Sequence, residues 1–306
     1  MIALYIAGAL LAAVVLANLI FGRLPKPPAA GGGVIDTAGG PIHYVESLGE
    51  GPPIVFIHGM PSTCREFDLV REKLAGRHTI AFDRPGYAWS DGPPQQFGAQ
   101  LDAIVEAAGT LGVDRAIVVG HSFGGMAALG LGIRRPEFVE RLLLLAPAAG
   151  GSRVAEASVN QAHKILKLET PVVRQVCDLL FLRLVRKRAA RVGAAGVYGG
   201  DPRLDVQRHV AESMLARHNS VRAYASDRIL FNDSERMVSK NLKRISAPSV
   251  ILHGESDPTV PTRNARRLAE ALAGSELIEV PGDHHLATKN ADDVVAALAR
   301  LESRAQ

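Results

Sequence analysis

Cysteine is scarce, with only Cys64 and Cys177 among 306 residues. Two thiols cannot build a disulfide framework or a zinc ribbon, and they leave the redox compartment open. No H-E-x-x-H, Cys/His cluster or Walker A run occurs, so no catalytic metal, nucleotide or other cofactor is expected. The glycine-rich stretch from Gly120 to Gly125 lacks the G-x-G-x-x-G spacing of a dinucleotide loop. Charge imbalance is also small. A formal net charge of +4 does not by itself call for a nucleic-acid partner, and none is expected. What remains is 47% hydrophobic and 22% charged, a globular composition that excludes disordered, collagen-like and coiled-coil chains. The length suits one large or two modest domains with a sizeable core.

One long run stands apart. Residues 2–21 carry no charge, and Asn18 is the only amide side chain among them. Twenty residues at about 1.5 Å each span about 30 Å, the thickness of a bilayer's hydrocarbon core. Val15-Leu16-Ala17 resembles a signal-peptide cleavage site, but the apolar run is long for that and no basic residue precedes it. The expectation is an uncleaved transmembrane anchor over 1–21 and a single-pass cell-membrane protein. Arg23 and Lys26 beyond the run lean its main domain toward the cytoplasm. A Pro/Gly linker over 22–33 follows.

From Val34 onward, short β-branched runs alternate with helical patterns. Strands are expected over 34–37, 42–47, 54–57, 79–82, 116–119, 142–145, 250–252 and 277–280, the first two as an antiparallel hairpin across Gly39-Gly40. Helices are expected over 65–75, 100–111, 123–134, 263–273 and 291–301. The later strands are continuous apolar runs, as in a parallel sheet covered by helices on both faces. The alternation lapses over 148–247, where only helical patterns occur. This reads as a helical lid inserted into a core formed by 34–147 and 248–303. Residues 151–246 carry 18 Lys+Arg against 9 Asp+Glu, while the remainder carries 17 against 22. The segment 179–191 mixes apolar and basic residues, which suits either a lipid-facing surface or a solvated helix face whose apolar side covers a site.

The strongest chemical signal is Gly120-His121-Ser122-Phe123-Gly124, a G-x-S-x-G run between an expected strand and an expected helix. A sharp turn there would expose the serine oxygen beside a helix N-terminus. A serine hydroxyl needs a base, and the base needs a partner to hold its tautomer. Acids follow a late strand in His253-Gly254-Glu255-Ser256-Asp257-Pro258. Histidines follow the last strand in Pro281-Gly282-Asp283-His284-His285. Parallel strands end at one edge, so both loops can reach Ser122.

With these motifs the chain resembles the α/β-hydrolase superfamily, in its serine-hydrolase branch, over most of residues 34–303. The resemblance implies an α/β-hydrolase fold with a mostly parallel eight-stranded sheet. Gly254, Asp257 and Pro261 match the family's G-x-x-D-x-x-x-P pattern, which puts the acid on Asp257 with Glu255 as the fallback. The family's Pro-Gly-x-Gly-His ending aligns His285 with the base; His284, standing in place of a glycine, is the neighbouring alternative. His121 and His253 read as packing residues. His58-Gly59-Met60-Pro61 resembles the family's H-G-x-P, implying an oxyanion hole from the Met60 and Phe123 amides. Asp83-Arg84-Pro85-Gly86-Tyr87-Ala88-Trp89-Ser90 resembles its D-x-x-G-x-G-x-S stretch, with Ala88 replacing a glycine, and reads as structural. Serine at 122 argues against haloalkane dehalogenases and epoxide hydrolases, which carry aspartate there.

The function expected is a membrane-anchored serine hydrolase of carboxylic esters, lipid-like or of medium to long acyl chain. Its partners would be a small-molecule ester or lipid substrate and the bilayer holding the N-terminal helix. The alternatives are a C–C bond hydrolase of ring-cleavage products on the same triad and a catalytically silent scaffold on the fold.

Overall fold

The computed structural model of the chain describes residues 1–22, 32–199 and 202–304, with the side chains of residues 2–4 and 203 left aside. These residues form eight strands: β1 (Gly33–Thr37), β2 (Gly40–Ser47), β3 (Glu50–Ile57), β4 (Arg77–Phe82), β5 (Ala116–His121), β6 (Val139–Leu145), β7 (Ser249–Gly254) and β8 (Glu276–Val280). They make one sheet in the order β1-β2-β4-β3-β5-β6-β7-β8. β1 and β2 form the expected antiparallel hairpin, β2 runs antiparallel to β4, and the rest are parallel. The apolar runs are continuous because both faces are buried and side chains alternate between them. Val55, Ile57, Val118, Leu142, Leu144 and Ile251 enter one core. Ile54, Phe56, Ile117, Val119, Leu143 and Leu252 enter the other.

Among the described residues twelve α-helices surround or extend this sheet: α1 (Ile2–Phe21), α2 (Asp68–Lys73), α3 (Phe97–Thr110), α4 (Phe123–Arg134), α5 (Glu156–Leu168), α6 (Pro171–Leu180), α7 (Leu182–Tyr198), α8 (Asp205–Met214), α9 (His218–Asn241), α10 (Thr262–Ala271), α11 (Leu286–Lys289) and α12 (Ala291–Glu302). Leu101 of α3, Met126 of α4 and Leu268 of α10 pack on the first face. Val70 of α2 and Val294, Leu298 and Leu301 of α12 pack on the second. Each such side chain contributes about 1.5–3 kcal/mol of burial. Every residue of α4 from Phe123 to Ile133 is buried, which its small residues permit. A Cβ on Gly130 would lie 2.8 Å from Leu101 of α3. Between β6 and β7 the described residues form α5 to α9 and no strand.

The N-terminal helix departs from expectation. Among the described residues no helix is long and apolar enough to cross a membrane, which corrects the transmembrane anchor and the single-pass cell-membrane localisation. Asn18, buried in α1, ties this helix to the protein's own chain. Its Nδ2 donates to Leu179 O at 3.1 Å and to Asp178 O, and its Oδ1 accepts from Leu184 N–H at 3.3 Å. Lys187 Nζ donates to Phe21 O at 2.9 Å. An apolar run alone does not distinguish a spanning helix from one docked on α6 and α7. Tyr5, Ile6, Leu10 and Leu11 are exposed. Arg23, Lys26 and most of the expected 22–33 linker lie outside the described residues.

Candidate active site

Strand β5 ends at His121 and α4 begins at Phe123, so one residue must turn the chain. Ser122 does so at φ 54°, ψ −116°, a left-handed conformation that costs a non-glycine residue about 1–3 kcal/mol. The turn is fixed from both sides: Ser122 N–H donates to Leu145 O and Ala148 N–H donates to Ser122 O, each at 2.9 Å. The flanking glycines are sterically required. A Cβ at 120 would meet Gly124 O at 2.2 Å, and one at 124 would meet Ile57 O at 2.0 Å.

Asp257 lies in the loop after β7. Its Oδ1 accepts from Thr259 N–H at 2.7 Å and Val260 N–H at 2.8 Å. Its Oδ2 lies 2.7 Å from His284 Nδ1, and His284 Nε2 lies 2.9 Å from Ser122 Oγ. An ionised carboxylate only accepts, so Nδ1 carries the proton and the Nε2 lone pair faces the hydroxyl. Burial alone would raise the Asp257 carboxyl, but the hydrogen bonds from His284, Val260 and Thr259 outweigh it and hold the group below its usual value. Burial pushes His284 below the ordinary imidazole value, and the charge of His121 adds to this against the pull of Asp257.

The structure therefore joins Ser122 and Asp257 through His284, and the expectation of His285 in that place is off by one residue. Asp283 Oδ1 accepts from His285 N–H at 2.8 Å, and His285 is the residue capping α11. The turn points His284 at Ser122 and leaves His285 beside it, with ring centroids 5.6 Å apart. His285 Nδ1 is buried with no hydrogen-bond partner among the described residues. Its pKa is pushed down to about 4, by burial first and then by the charges of His121 and His284. Glu255, the fallback acid, is exposed, whereas the Asp257 side chain is fully buried.

Two buried polar groups behind the site have partners that the sequence reading did not identify. Glu66 Oε1 accepts from Gly59 N–H at 3.0 Å and lies 3.2 Å from His121 Nδ1, while His121 Nε2 lies 2.8 Å from His284 O. Both imidazole nitrogens of His121 face oxygen atoms, an arrangement that suits the imidazolium beside an ionised Glu66. Burial would lower His121, but the Glu66 charge and hydrogen bond outweigh it and raise the pKa. Burial would raise Glu66, and His121 reverses that too. The second group is Arg84, fully buried. It donates to His58 O at 3.1 Å, Gly59 O at 3.2 Å and Asp227 Oδ2 of α9 at 2.8 Å. Its guanidinium lies 4.4 Å from the Phe123 ring centroid. Glu66 stands alone in an unremarkable stretch, and Asp227 is 143 residues from Arg84, so only three-dimensional structure pairs them. His253 behaves as a packing residue, fully buried with Nε2 2.9 Å from Val260 O.

Ser122 and Met60 line a cavity of about 480 Å³. Ala148, Val154, Phe231 and Val260 give it apolar walls, and Ser152, Asn264, Arg153, Arg263 and Arg267 give it a polar side. Met60 follows Gly59, whose amide is held by Glu66, and Phe123 opens α4, whose dipole favours negative charge beside Ser122. Among the described residues one group has donor atoms close enough to hold a metal ion: His43, Cys64 and Asp83. There Asp83 Oδ1 already accepts from Cys64 N–H at 2.7 Å, and Oδ2 lies 2.8 Å from His43 Nδ1. All three are fully buried, which makes the cluster a hydrogen-bonded corner of the fold rather than an open site.

The model of the alpha/beta hydrolase family matches residues 54–298. An uncharacterized protein of Mycobacterium tuberculosis is 28% identical over 253 residues, covering 78% of this chain and 71% of its own. The pimeloyl-[acyl-carrier protein] methyl ester esterase of Chromobacterium violaceum is 28% identical over 265 residues, covering 86% of this chain and 99% of its own. The crystal structure of the enol-lactonase from Burkholderia xenovorans LB400 matches with a TM-score of 0.72 at 19% identity, over 89% of this chain and 100% of that one. That last likeness is one of fold.

Proposed function

The chain belongs to the alpha/beta hydrolase family, and we propose that it is a serine hydrolase of carboxylic esters. The observation that carries this reading is the unbroken Asp257–His284–Ser122 hydrogen-bond chain opening on a cavity. Ser122 Oγ attacks the ester carbonyl carbon as its proton passes to His284 Nε2, and Asp257 stabilises the imidazolium. The carbonyl oxygen takes the negative charge and is met by the Met60 and Phe123 amides, each such donor worth about 10²–10³ in rate. Collapse of the tetrahedral species expels the alcohol, which leaves with the proton from His284. Water then gives a proton to His284 and attacks the acyl-enzyme, releasing the acid and restoring Ser122. Phe231 of α9 stands in the cavity wall, where it would limit the space for the acyl or alcohol part. The esterase name of the Chromobacterium relative is in keeping with ester chemistry.

Hydrolysis of a simple p-nitrophenyl ester tests this. Ser122→Ala and His284→Ala should each lower kcat/KM by about 10⁴-fold or more. His285→Ala should retain turnover within about tenfold, since it shares no proton with Ser122. A dead His285→Ala beside an active His284→Ala would overturn the assignment.

A further inference from the structure

Three arginines line the cavity that holds Ser122: Arg153 on the segment after β6, and Arg263 and Arg267 on α10. Among the described residues no aspartate or glutamate lines it. None of the three arginines has a carboxylate partner among the described residues, although the surface nearby is rich in pairs. Arg266, their neighbour on α10, takes Glu279 through both Nε and Nη2 at 2.7 and 2.9 Å. Arg300 and Arg304 share Glu276. Glu235 of α9 is engaged by Gly151 N–H and Ser239 Oγ.

The placement works against the local preferences of the helix. Arg263 sits in the first turn of α10, which contains no acidic residue, where the helix dipole disfavours positive charge. Arg263 and Arg267 are four residues apart, so their like charges repel on one helix face. Local rules broken in a cavity wall, with no compensating protein group, are expected where a ligand supplies the compensation. The wall is also held in place. Asn264, buried between the two arginines in sequence, donates to Ser152 Oγ at 3.1 Å, and Ser152 donates to Ala149 O at 3.0 Å. This links α10 to the segment carrying Arg153.

We propose that Arg153, Arg263 and Arg267 form a specificity site for a carboxylate carried by the substrate, so that the enzyme prefers esters of dicarboxylic acids over neutral esters. The proposal rests on the serine-hydrolase reading, since the ester must reach Ser122 from the same cavity. Guanidinium forks match carboxylates bidentately, and three exposed cations at the rim can capture the anion before the acyl group settles against Met60 and Phe231. Because the arginines face solvent at this rim, the preference should weaken as salt rises.

The test compares p-nitrophenyl half-esters of dicarboxylic acids with neutral p-nitrophenyl esters of the same chain length. In the native chain kcat/KM should favour the half-ester by about ten- to hundredfold, the range of a charge-assisted hydrogen bond. The Arg263→Ala/Arg267→Ala double variant should bring that ratio close to one, and Arg263→Lys/Arg267→Lys should restore part of it. Arg266→Ala, which removes a cation from the other side of α10, should leave the native ratio. Thermal melting of the double variant checks that it is folded. A native ratio near one, or a ratio unaltered by the double variant, overturns the carboxylate site while leaving the serine chemistry intact. Failure of both esters, with Ser122 unreactive toward a fluorophosphonate, overturns the underlying reading instead.

Discussion

In the proposed mechanism a neutral His284 takes the proton from Ser122, so activity should fall as pH drops through its pKa. Burial and the nearby His121 charge hold that pKa below the ordinary value of 6.5, so the acid limb of kcat/KM should have its midpoint below 6.5. Glu66→Gln removes the carboxylate that keeps His121 charged. One of the influences depressing His284 then disappears, and the acid limb should move to higher pH. A limb that stays put or moves lower would show that His121 is neutral in the native protein. The sequence resolved this region only in part. Asp257 and Ser122 were readable because their motifs fix the turn on each side. The choice between His284 and His285 was not, because it depends on the Asp283–His285 turn that caps α11 and on nothing in the spacing itself. His121 read as packing since its partner Glu66 is 55 residues away.

The elements were legible where one rule governed them. Strand cores followed from continuous apolar runs, and α4 starts where the strand–serine–helix motif places it. The helix expected over 65–75 is instead a 3-10 turn at Cys64–Phe67 followed by α2. Thr63 Oγ1 accepts from Arg65 N–H and Asp83 Oδ1 accepts from Cys64 N–H, so the chain is pinned before a regular helix can start. Contacts between distant elements were invisible, and the buried Arg84–Asp227 pair is the chief example. Asp227 also accepts from Tyr87 Oη at 2.8 Å and Gln100 Nε2 at 2.8 Å. Asp227→Ala leaves Arg84 buried without its carboxylate, which should cost about 3–5 kcal/mol. Chemical denaturation should show that loss, and a change under about 1 kcal/mol would mean that Arg84 finds water or another acceptor there.

For the molecule as a whole, composition pointed to a membrane protein where the structure shows a helix docked on the inserted helices. The uncharged twenty-residue run of α1 invites a bilayer reading, but Asn18 within it meets three backbone groups around the α6–α7 junction. Asn18→Ala strips partners from those groups, at about 1–3 kcal/mol for each buried group left unpaired. Amide hydrogen exchange should then quicken in α1 and around Leu184 while the core strand β5 keeps its protection. Equal exchange in α1 before and after the change would mean that Asn18 does not hold the helix. The excess of basic residues over 151–246 was visible in the sequence, but the arginines nearest the chemistry were not distinguished by it. Arg263 and Arg267 lie outside that segment, and only the approach of α10 to Ser122 brings them into one cavity with Arg153.

Peptide mass mapping of the acyl-enzyme tests the central claim most directly. The chain is mixed with a p-nitrophenyl ester and quenched in acid during the first turnover. The acyl mass should appear on the peptide containing Ser122 in the native chain and in His285→Ala. It should be absent from Ser122→Ala, and in His284→Ala it should form at least about 10⁴-fold more slowly. An adduct on another residue, or an adduct lost in His285→Ala and kept in His284→Ala, would contradict the Ser122–His284–Asp257 assignment.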